Sequence, residues 1–199
     1  MPAPVLAASD LALRLRAGEA AIIPTDTLPG LAVIPEYAQT LWRLKRRPAD
    51  KPLILMGASV NDLFQEVAVA CHREVEALVE RYWPGALTLV LPARDGGAAC
   101  HLNPGGATLG CRIPDCEQTR GLLQLSGPLA TTSANRSGEP ASMTAAEAAR
   151  CFPNVAQLAP QPWPQPSGQA STVLVWVEDG RWRMVRQGAV IPAGVEVLE

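Results

Sequence analysis

The chain has 199 residues, 48% hydrophobic and 18% charged, which is the balance of a globular protein and excludes an intrinsically disordered one. The formal net charge of -2 argues against tight nucleic-acid binding, and no apolar run approaches the ~20 residues of a membrane span. Five cysteines, an odd number, and no expected secretory leader indicate reduced thiols in a cytoplasmic protein of one domain, residues 1–199.

Helical and strand patterns alternate along the first half of the chain. Apolar residues at helical spacing, Leu11, Leu13 and Leu15, predict a first helix over residues 6–17 that ends at Gly18. The elements predicted after it are strand 20–23, helix 37–46, strand 53–56, helices 60–69 and 72–82, and strand 87–91.

The second half begins with a glycine-rich loop and ends with a hairpin pattern. The predicted elements are loop 95–106, strand 108–113, helix 119–125, strand 128–131, helix 144–151, and strands 173–177 and 182–185. Thr144, followed three residues later by Glu147, predicts a capping box. Glu178, Asp179 and Gly180 predict the hairpin turn. The alternation as a whole predicts an α/β fold with a mixed sheet and flanking helices.

Residues 160–166 carry a proline at every second position. Prolines prevent regular hydrogen-bonded structure and favour a stiff, extended loop. We interpret this segment as a surface connector, and the alternative interpretation is a loop that covers a binding site.

Four polar segments adjoin predicted strands, at residues 24–30, 45–52, 131–138 and 168–172. The first follows a buried strand, at the edge where open α/β sheets bind ligands. The second holds several cations on a proline-stiffened loop, which suits a polyphosphate. The third offers hydroxyls and an amide as donors to phosphate oxygens. Polar turns and a solvated basic surface explain the same residues, and those alternatives stay open.

Other site chemistries are poorly supported. The segments contain neither a Walker lysine motif nor a G-x-G-x-x-G fingerprint. Cysteines 100, 111 and 116 and His101 lack the paired spacing of a zinc site. The only histidines are His72 and His101, and neither lies near a recognised nucleophile motif, so a Ser-His-Asp enzyme is unsupported.

In their order and spacing, these segments resemble the YrdC/Sua5 family of threonylcarbamoyl-AMP synthases, from residue 18 to residue 188. The family motifs are present at residues 24–30 (P-T-E-T-x-x-G), 45–54 (K-x-R-P, then P-L-I), 83–88 (W-P-G-x-L-T), 111–114 (V-R-x-P), 133–138 (S-A-N-x-S-G), 168–172 (G-x-E-S-T) and 186–188 (R-x-G). Each motif is short, but in this order they are highly specific.

The resemblance implies a YrdC/RibB-like fold, a single-domain twisted α/β sheet with a deep, positively charged central cavity. It implies that L-threonine takes up bicarbonate as a carbamate, which attacks the α-phosphate of ATP and releases pyrophosphate. In this nucleotidyl transfer the protein mainly positions the reactants and neutralises charge. The resemblance implies no tightly bound cofactor, and Mg²⁺ is expected to arrive with ATP. The product, threonylcarbamoyl-AMP, is expected to pass to a tRNA threonylcarbamoyl transferase that modifies adenosine 37.

The resemblance also implies roles for individual residues. Arg112 is expected to hold the carboxylate of threonine, a task that suits a guanidinium fork. The residues expected to contact threonine are Thr27, Arg112, Thr131 and Ser171. Those expected to contact ATP are Lys45, Arg47, Lys51, Thr108, Ser133, Asn135, Ala141 and Arg186. Lys45, Arg47 and Arg112 are expected to be catalytic, and no residue is expected to bind a metal.

Several positions depart from the family pattern, Asp26 and Cys111 among them, and three further departures matter for the site. Pro29 replaces an aromatic residue, Ala170 replaces the glutamate of G-x-E-S-T, and Met56 stands where some relatives have a histidine. Pro29 and Ala170 keep open the alternative of a nucleotide-binding relative without synthase activity. The basic cavity that the resemblance implies keeps open a second alternative, an RNA-binding or ribosome-maturation protein of the same fold. The net charge and the lack of aromatic residues among the basic ones favour RNA binding that is weak or indirect.

Overall fold

Seven helices and eleven strands make up the part of the chain that the computed structural model describes, residues 3–48, 50–68, 73–178, 181–193 and 196–198. The helices are α1 (Ala8–Arg16), α2 (Gln39–Lys45), α3 (Val60–Phe64), α4 (Arg73–Tyr82), α5 (Ala99–Leu102), α6 (Glu117–Ser126) and α7 (Ala145–Cys151). The strands are β1 (Val5–Leu6), β2 (Ala21–Ile23), β3 (Gly30–Val33), β4 (Ile54–Met56), β5 (Leu87–Pro92), β6 (Thr108–Arg112), β7 (Leu129–Ser133), β8 (Ala156–Leu158), β9 (Thr172–Glu178), β10 (Arg181–Arg186) and β11 (Glu196–Leu198).

These strands form one mixed sheet in the order β1-β8-β2-β3-β7-β4-β6-β5-β9-β10-β11. Strand β7 pairs antiparallel with both β3 and β4, whereas β4 and β6 run parallel, as do β5 and β9. The predicted α/β fold with a mixed sheet and flanking helices is confirmed. None of the described helices is long and apolar enough to cross a membrane.

The two faces of the sheet are covered differently. On one face, Leu55, Leu89 and Leu174 belong to a large core that also contains residues of α2, α3 and α4. On the other face, α1 and α6 pack with β2, β3 and β8 in a second, smaller core. The rest of this second face, over β4, β6, β5 and β9, carries the polar residues of the candidate site.

The sequence patterns missed four strands. Strands β1, β8 and β11 have only two or three residues, too few for an alternating pattern to stand out. Strand β3 is buried at all four positions, because both of its faces are covered, so it shows no alternation either. Its neighbours are β2 and β7, which places it inside the sheet.

Three helix predictions need correction. The first helix begins at Ala8 and not at residue 6, because Val5–Leu6 pairs with β8, and Leu13 is 61% exposed rather than on the apolar side. Helix α3 ends at Phe64, since Val67 bridges to Ala93 instead. The predicted loop 95–106 contains the short helix α5.

The capping prediction is half confirmed. Thr144 Oγ1 accepts from the Glu147 backbone N–H at 3.1 Å, but the Glu147 carboxylate accepts from Met143 rather than returning to Thr144. A reciprocal capping box does form at α3, between Ser59 and Asp62. The antiparallel hairpin of β9 and β10 is confirmed, although residues 179–180 of its turn, like residues 69–72 of the predicted helices, lie outside the described residues.

Candidate functional site

A pocket of about 390 Å³ lies on the sheet face that α1 and α6 leave uncovered. Side chains alternate between the two faces of a strand, so every second residue of β4, β5 and β6 reaches this pocket. These residues are Ile54 and Met56, Thr88 and Val90, and Thr108, Gly110 and Arg112. The walls are completed by the loop after β2, the segment between α2 and β4, Asn103, the end of β7, residues 170, 171 and 173, and the end of β10.

The structure brings together most of the predicted site residues. Those that line the pocket are Thr27, Arg47, Thr108, Arg112, Thr131, Ser133, Ser171 and Arg186. Those that are absent from its lining are Lys45, Lys51, Asn135 and Ala141. Lys51 and Ala141 are exposed, whereas Lys45 is almost completely buried. Lys45 and Asn135, which are expected to contact ATP, therefore lie outside the lining of the pocket.

Arg112, at the end of β6, is held by the loop that follows β2. Its Nη2 donates to Asp26 Oδ1 at 2.6 Å, its Nη1 donates to Thr27 Oγ1 at 2.8 Å, and its Nε donates to the Gly85 carbonyl at 2.9 Å. Burial lowers the pKa of Arg112, and the Asp26 carboxylate opposes this shift, so the guanidinium keeps its charge. A guanidinium has five N–H donors, so two remain for a ligand.

The hydroxyl of Thr27 faces the pocket as an acceptor. Thr25 Oγ1 donates to the Leu28 carbonyl at 2.7 Å and accepts from the backbone N–H groups of Thr27 and Leu28, both at 3.1 Å, so its hydrogen is not given to Thr27 Oγ1, which lies 3.0 Å away. Thr27 Oγ1 accepts from Arg112. A hydroxyl has one hydrogen and two acceptor positions, so Thr27 keeps one lone pair for an N–H of a ligand.

Arg47 and Arg186 bring further positive charge to the pocket. Arg47 lies beside the start of β4, whereas Arg186 is level with Arg112 along the strands, because Arg186 pairs with Val173 and Val173 with Thr88. Arg47 donates through Nη2 to the Pro52 carbonyl at 3.1 Å, and its buried Nε has no partner among the described residues. Arg186 donates through Nε to the Ser171 carbonyl and through Nη2 to Ser171 Oγ. Burial lowers the pKa of both arginines. For Arg47 the charge of Asp50 opposes this shift, and the nearby charge of Arg186 adds to it, as expected for two cations that face one cavity.

Lys45 lies behind this end of the pocket and holds the turn after β7. Its Nζ contacts the carbonyls of Ser133 and Asn135, both at 2.5 Å, and Asn135 Oδ1 at 3.1 Å. Three donors on the ammonium are thus occupied by protein oxygens. Burial, and next the positive charge of Arg47, lower the pKa of Lys45 from 10.5 to about 8. The lysine therefore shapes the Ser133 wall of the pocket from beneath.

The local backbone explains how neighbouring cations diverge. Helix α2 ends at Lys45, and Arg46 takes a left-handed conformation (φ 52°, ψ 42°) that few non-glycine residues adopt. This reversal leaves Lys45 buried, Arg46 exposed and Arg47 at the pocket wall.

The proline-rich loop is bonded to the first polar segment, although residues 160–169 are absent from the pocket lining. The Ser167 backbone N–H donates to the Asp26 carbonyl at 2.9 Å, and that of Gly168 donates to the Thr27 carbonyl at 3.1 Å. Trp163 packs against the main core, and its Nε1 donates to the Leu158 carbonyl. The loop is thus anchored to the core at its middle and to the first polar segment at its end.

Sequence reasoning gave no role to Asp26 or Thr88. Asp26 lies between two threonines of a recognised motif, but a carboxylate in a turn can equally cap a neighbouring residue. Its partner Arg112 is 86 residues away, so no local pattern could reveal the ion pair. Thr88 is the last residue of another motif and lines the pocket. Thr88 and Val90 are two residues apart on β5 and therefore share a face of the sheet. This alternation was the sequence signal that could have identified Thr88 as a pocket residue. Among the described residues there is no group of three or more His, Cys, Asp and Glu that could hold a metal ion.

The profile of the Sua5_yciO_yrdC family, described as "Telomere recombination", matches residues 14–188. The chain belongs to the Sua5/YciO/YrdC family. Two curated relatives of this family carry the name threonylcarbamoyl-AMP synthase. The protein from Bacillus subtilis (strain 168) is 32% identical over 169 residues, which cover 83% of this chain and 49% of the relative. The protein from Bos taurus is 33% identical over 196 residues, covering 93% and 69%. The chain thus spans about half the length of the Bacillus relative.

A solved structure of the family agrees in fold. The crystal structure of P. abyssi Sua5 complexed with L-threonine superposes with a TM-score of 0.85 at 27% sequence identity, over 100% of this chain and 62% of that one. The Sua5/YciO/YrdC fold, a mixed sheet with flanking helices, is therefore shared.

Proposed function

We propose that this chain is an L-threonylcarbamoyladenylate synthase, which makes threonylcarbamoyl-AMP and pyrophosphate from L-threonine, bicarbonate and ATP. The observation that carries the proposal is that one pocket collects Arg47, Arg112 and Arg186 with a wall of hydroxyl groups. A small zwitterion and a polyphosphate together need these groups: a fixed guanidinium for a carboxylate, and excess positive charge for phosphates. The names of the relatives and the threonine bound to P. abyssi Sua5 support the same reaction.

The proposed reaction has two steps. The amino group of threonine attacks bicarbonate, forms a C–N bond and releases water, which gives a carbamate. A carbamate oxygen then attacks the α-phosphorus of ATP, the bond from that phosphorus to the bridging oxygen breaks, and pyrophosphate leaves with the electron pair. Negative charge builds up on the phosphate oxygens during the second step, so fixed positive charge stabilises its transition state.

At the threonine end, Arg112 would bind the carboxylate with its two remaining N–H donors. Its other donors are held by Asp26, Thr27 and Gly85, which fixes the guanidinium before substrate arrives. Such preorganisation lowers the entropy lost on binding. Thr27, with one free lone pair, would accept from the nitrogen of threonine, and Thr131 and Ser171 line the same pocket.

At the nucleotide end, Arg47 and Arg186 would face the phosphates, with Thr108 and Ser133 beside them. Lys45 would act on the nucleotide through the Ser133–Asn135 turn, because its ammonium is bound to protein oxygens. Lys51 and Ala141 would contact ATP from outside the pocket. Mg²⁺ would enter as part of the MgATP substrate. We further propose that the product is passed to a tRNA threonylcarbamoyl transferase, which forms N6-threonylcarbamoyladenosine.

The test is to incubate the purified protein with ATP, L-threonine and ¹³C-labelled bicarbonate and to identify the nucleotide products by mass spectrometry. We expect an adenylate heavier than AMP by the threonylcarbamoyl group, carrying one ¹³C, together with pyrophosphate. Omitting threonine should abolish both products. ATP binding without the adenylate would instead indicate a nucleotide-binding protein, and salt-sensitive RNA retention without turnover would indicate an RNA-binding protein.

A further inference from the structure

Two hydroxyl groups form a buried pair in the wall of the pocket. Thr88 Oγ1 on β5 and Ser171 Oγ, directly before β9, lie 2.8 Å apart. The residues are 1% and 3% exposed, and both line the pocket. The antiparallel register of β5 and β6 sets Leu89 opposite Cys111, so Thr88 lies opposite Arg112 on the same face of the sheet.

The pair holds one more hydrogen than it can use. Each hydroxyl has a single hydrogen, and only one of the two can lie between the oxygens. The one other described contact of either hydroxyl is with Arg186, whose Nη2 donates to Ser171 Oγ at 3.2 Å. A guanidinium cannot accept, so this contact does not take up the second hydrogen. That hydrogen is left facing the pocket.

The charge on Arg186 favours one of the two directions of the bond between the hydroxyls. A hydroxyl that accepts from a cation is polarised and becomes a better donor. Because Ser171 Oγ accepts from Arg186, the favoured direction has Ser171 donating to Thr88 Oγ1, which leaves the hydrogen of Thr88 free. The Thr88 methyl group is fixed over Gly110, where an added Cβ would lie 3.7 Å from Thr88 Cγ2.

We propose that Thr88 contacts the substrate and donates a hydrogen bond to an oxygen of the amino acid, at the end of the chain Arg186–Ser171–Thr88. This inference rests on the proposed function and adds a specificity-determining residue to it. An oxygen of the carboxylate or of the side-chain hydroxyl satisfies the donor. An alkyl side chain at the same place leaves a buried hydrogen without an acceptor, which is the situation that makes polar sites selective.

The test compares two substitutions of nearly the same shape. Thr88→Val removes the hydroxyl and keeps the branched shape, whereas Thr88→Ser keeps the hydroxyl and removes the methyl group. In calorimetric titrations we expect Thr88→Val to bind L-threonine about three- to tenfold more weakly. Thr88→Ser should bind threonine as the wild type does, and ATP affinity should be unchanged in both. In turnover, Thr88→Val should raise KM for threonine more than it lowers kcat.

Titration with L-valine distinguishes the two acceptor oxygens. If Thr88 donates to the side-chain hydroxyl, Thr88→Val loses the preference for threonine over valine; if it donates to the carboxylate, both amino acids bind more weakly by the same factor. Wild-type threonine affinity in Thr88→Val, or an equal loss in Thr88→Ser, would overturn the proposal. If wild type binds threonine but makes no adenylate, the proposed function fails while the titrations still test Thr88. If wild type binds no threonine, both are overturned.

Discussion

The two ends of the pocket handle positive charge in opposite ways. At one end, Arg112 is buried, paired with Asp26 at 2.6 Å and bonded to two further protein groups. At the other end, Arg47 forms no ion pair with a carboxylate among the described residues; nor does Arg186, which is level with Arg112 along the strands and donates to Ser171. The Arg112 guanidinium is thus neutralised and held in place, whereas Arg47 and Arg186 leave an excess of positive charge.

The difference indicates how one cavity can sort two ligands. A neutral, preorganised end recognises a small zwitterion by the direction of its hydrogen bonds, because little net charge is left to attract other anions. An end with unpaired cations attracts a polyanion by charge, with less dependence on exact geometry. We therefore expect substitutions at the two ends to have separable effects on threonine and ATP.

The largest effect is expected from Arg112→Ala. Threonine should bind about ten- to a hundredfold more weakly, since a charge-assisted hydrogen bond is lost in a closed site, and ATP affinity should change little. Asp26 is left without its partner, so unfolding should cost about 2–3 kcal/mol less, below the value for a fully buried pair because the Asp26 side chain is 18% exposed. Calorimetry and thermal unfolding measure the two effects.

Matched variants separate binding from folding at this end. Arg112→Ala with Asp26→Ala should recover part of the lost stability without recovering threonine affinity. Arg112→Lys should rescue threonine binding poorly, because an ammonium cannot reproduce the bidentate fork. Equal weakening of threonine and ATP in Arg112→Ala would contradict the division of the pocket.

The converse effect is expected from Arg47→Ala. ATP should bind about tenfold more weakly, with threonine affinity and thermal stability nearly unchanged, because Arg47 makes a single hydrogen bond to Pro52. The ATP affinity of wild type should fall more steeply with added salt than that of the variant. A variant that loses threonine binding as strongly as ATP binding would show that the two ends are coupled.

The pH dependence of ATP binding should distinguish the two ends of the pocket. Lys45, with a pKa of about 8, loses its proton as the pH rises through that value, and the Ser133–Asn135 turn loses its cation. We expect ATP affinity to drop about three- to tenfold between pH 7 and pH 9, while threonine affinity stays level. Lys45→Arg should abolish the drop in ATP affinity between pH 7 and pH 9, because a guanidinium keeps its proton. Lys51→Met should still show the drop.

A loss of folding stability through the titration of Lys45 does not explain this drop in ATP affinity. The folded-state pKa of Lys45 lies below its ordinary 10.5, so between about pH 8 and 10.5 the unfolded chain binds more protons. The contribution of Lys45 to folding stability therefore rises with pH in this window. An ATP affinity that stays level to pH 9 would show that the Lys45 charge is not needed at the nucleotide end.

The smallest effect is expected in the proline-rich loop. Gly168 has φ +79°, and an added Cβ would lie 2.8 Å from Met143 Cε, so Gly168→Ala should loosen the loop end that is bonded to Thr27. We expect ATP and threonine together to protect residues 160–171 from limited proteolysis, and the variant to reduce that protection about twofold. Gly127→Ala is the matched control, with φ +82° and no atom near its added Cβ. Equal cleavage with and without ligands would argue against a covering role for this loop.

The fold could be read from the sequence wherever an element was long enough to carry a period. Helices α1, α2, α4, α6 and α7 and strands β5, β6, β9 and β10 were predicted within a few residues of their bounds. The three-residue strands β2 and β4 were predicted from runs of large apolar residues. Strands β3 (Gly-Leu-Ala-Val) and β8 (Ala-Gln-Leu) were missed because they have neither such a run nor a long alternation. The parallel pairing of β5 with β9 is also beyond a local pattern, since it joins residues more than eighty positions apart.

For the site, the sequence alone determined the kinds of groups present, since cations, hydroxyls and an amide recur in short motifs beside strands. Only the tertiary structure decided what each group does. Lys45 and Arg47 are two residues apart, yet one lies under the Ser133–Asn135 turn and the other lines the pocket, because Arg46 reverses the backbone between them. Asp26 pairs with Arg112, and the Ser171 hydroxyl joins Arg186 to Thr88, through contacts between distant segments. Charge and polarity in a cavity depend on distances of a few ångströms between such segments, and those distances are set by the packing of the sheet.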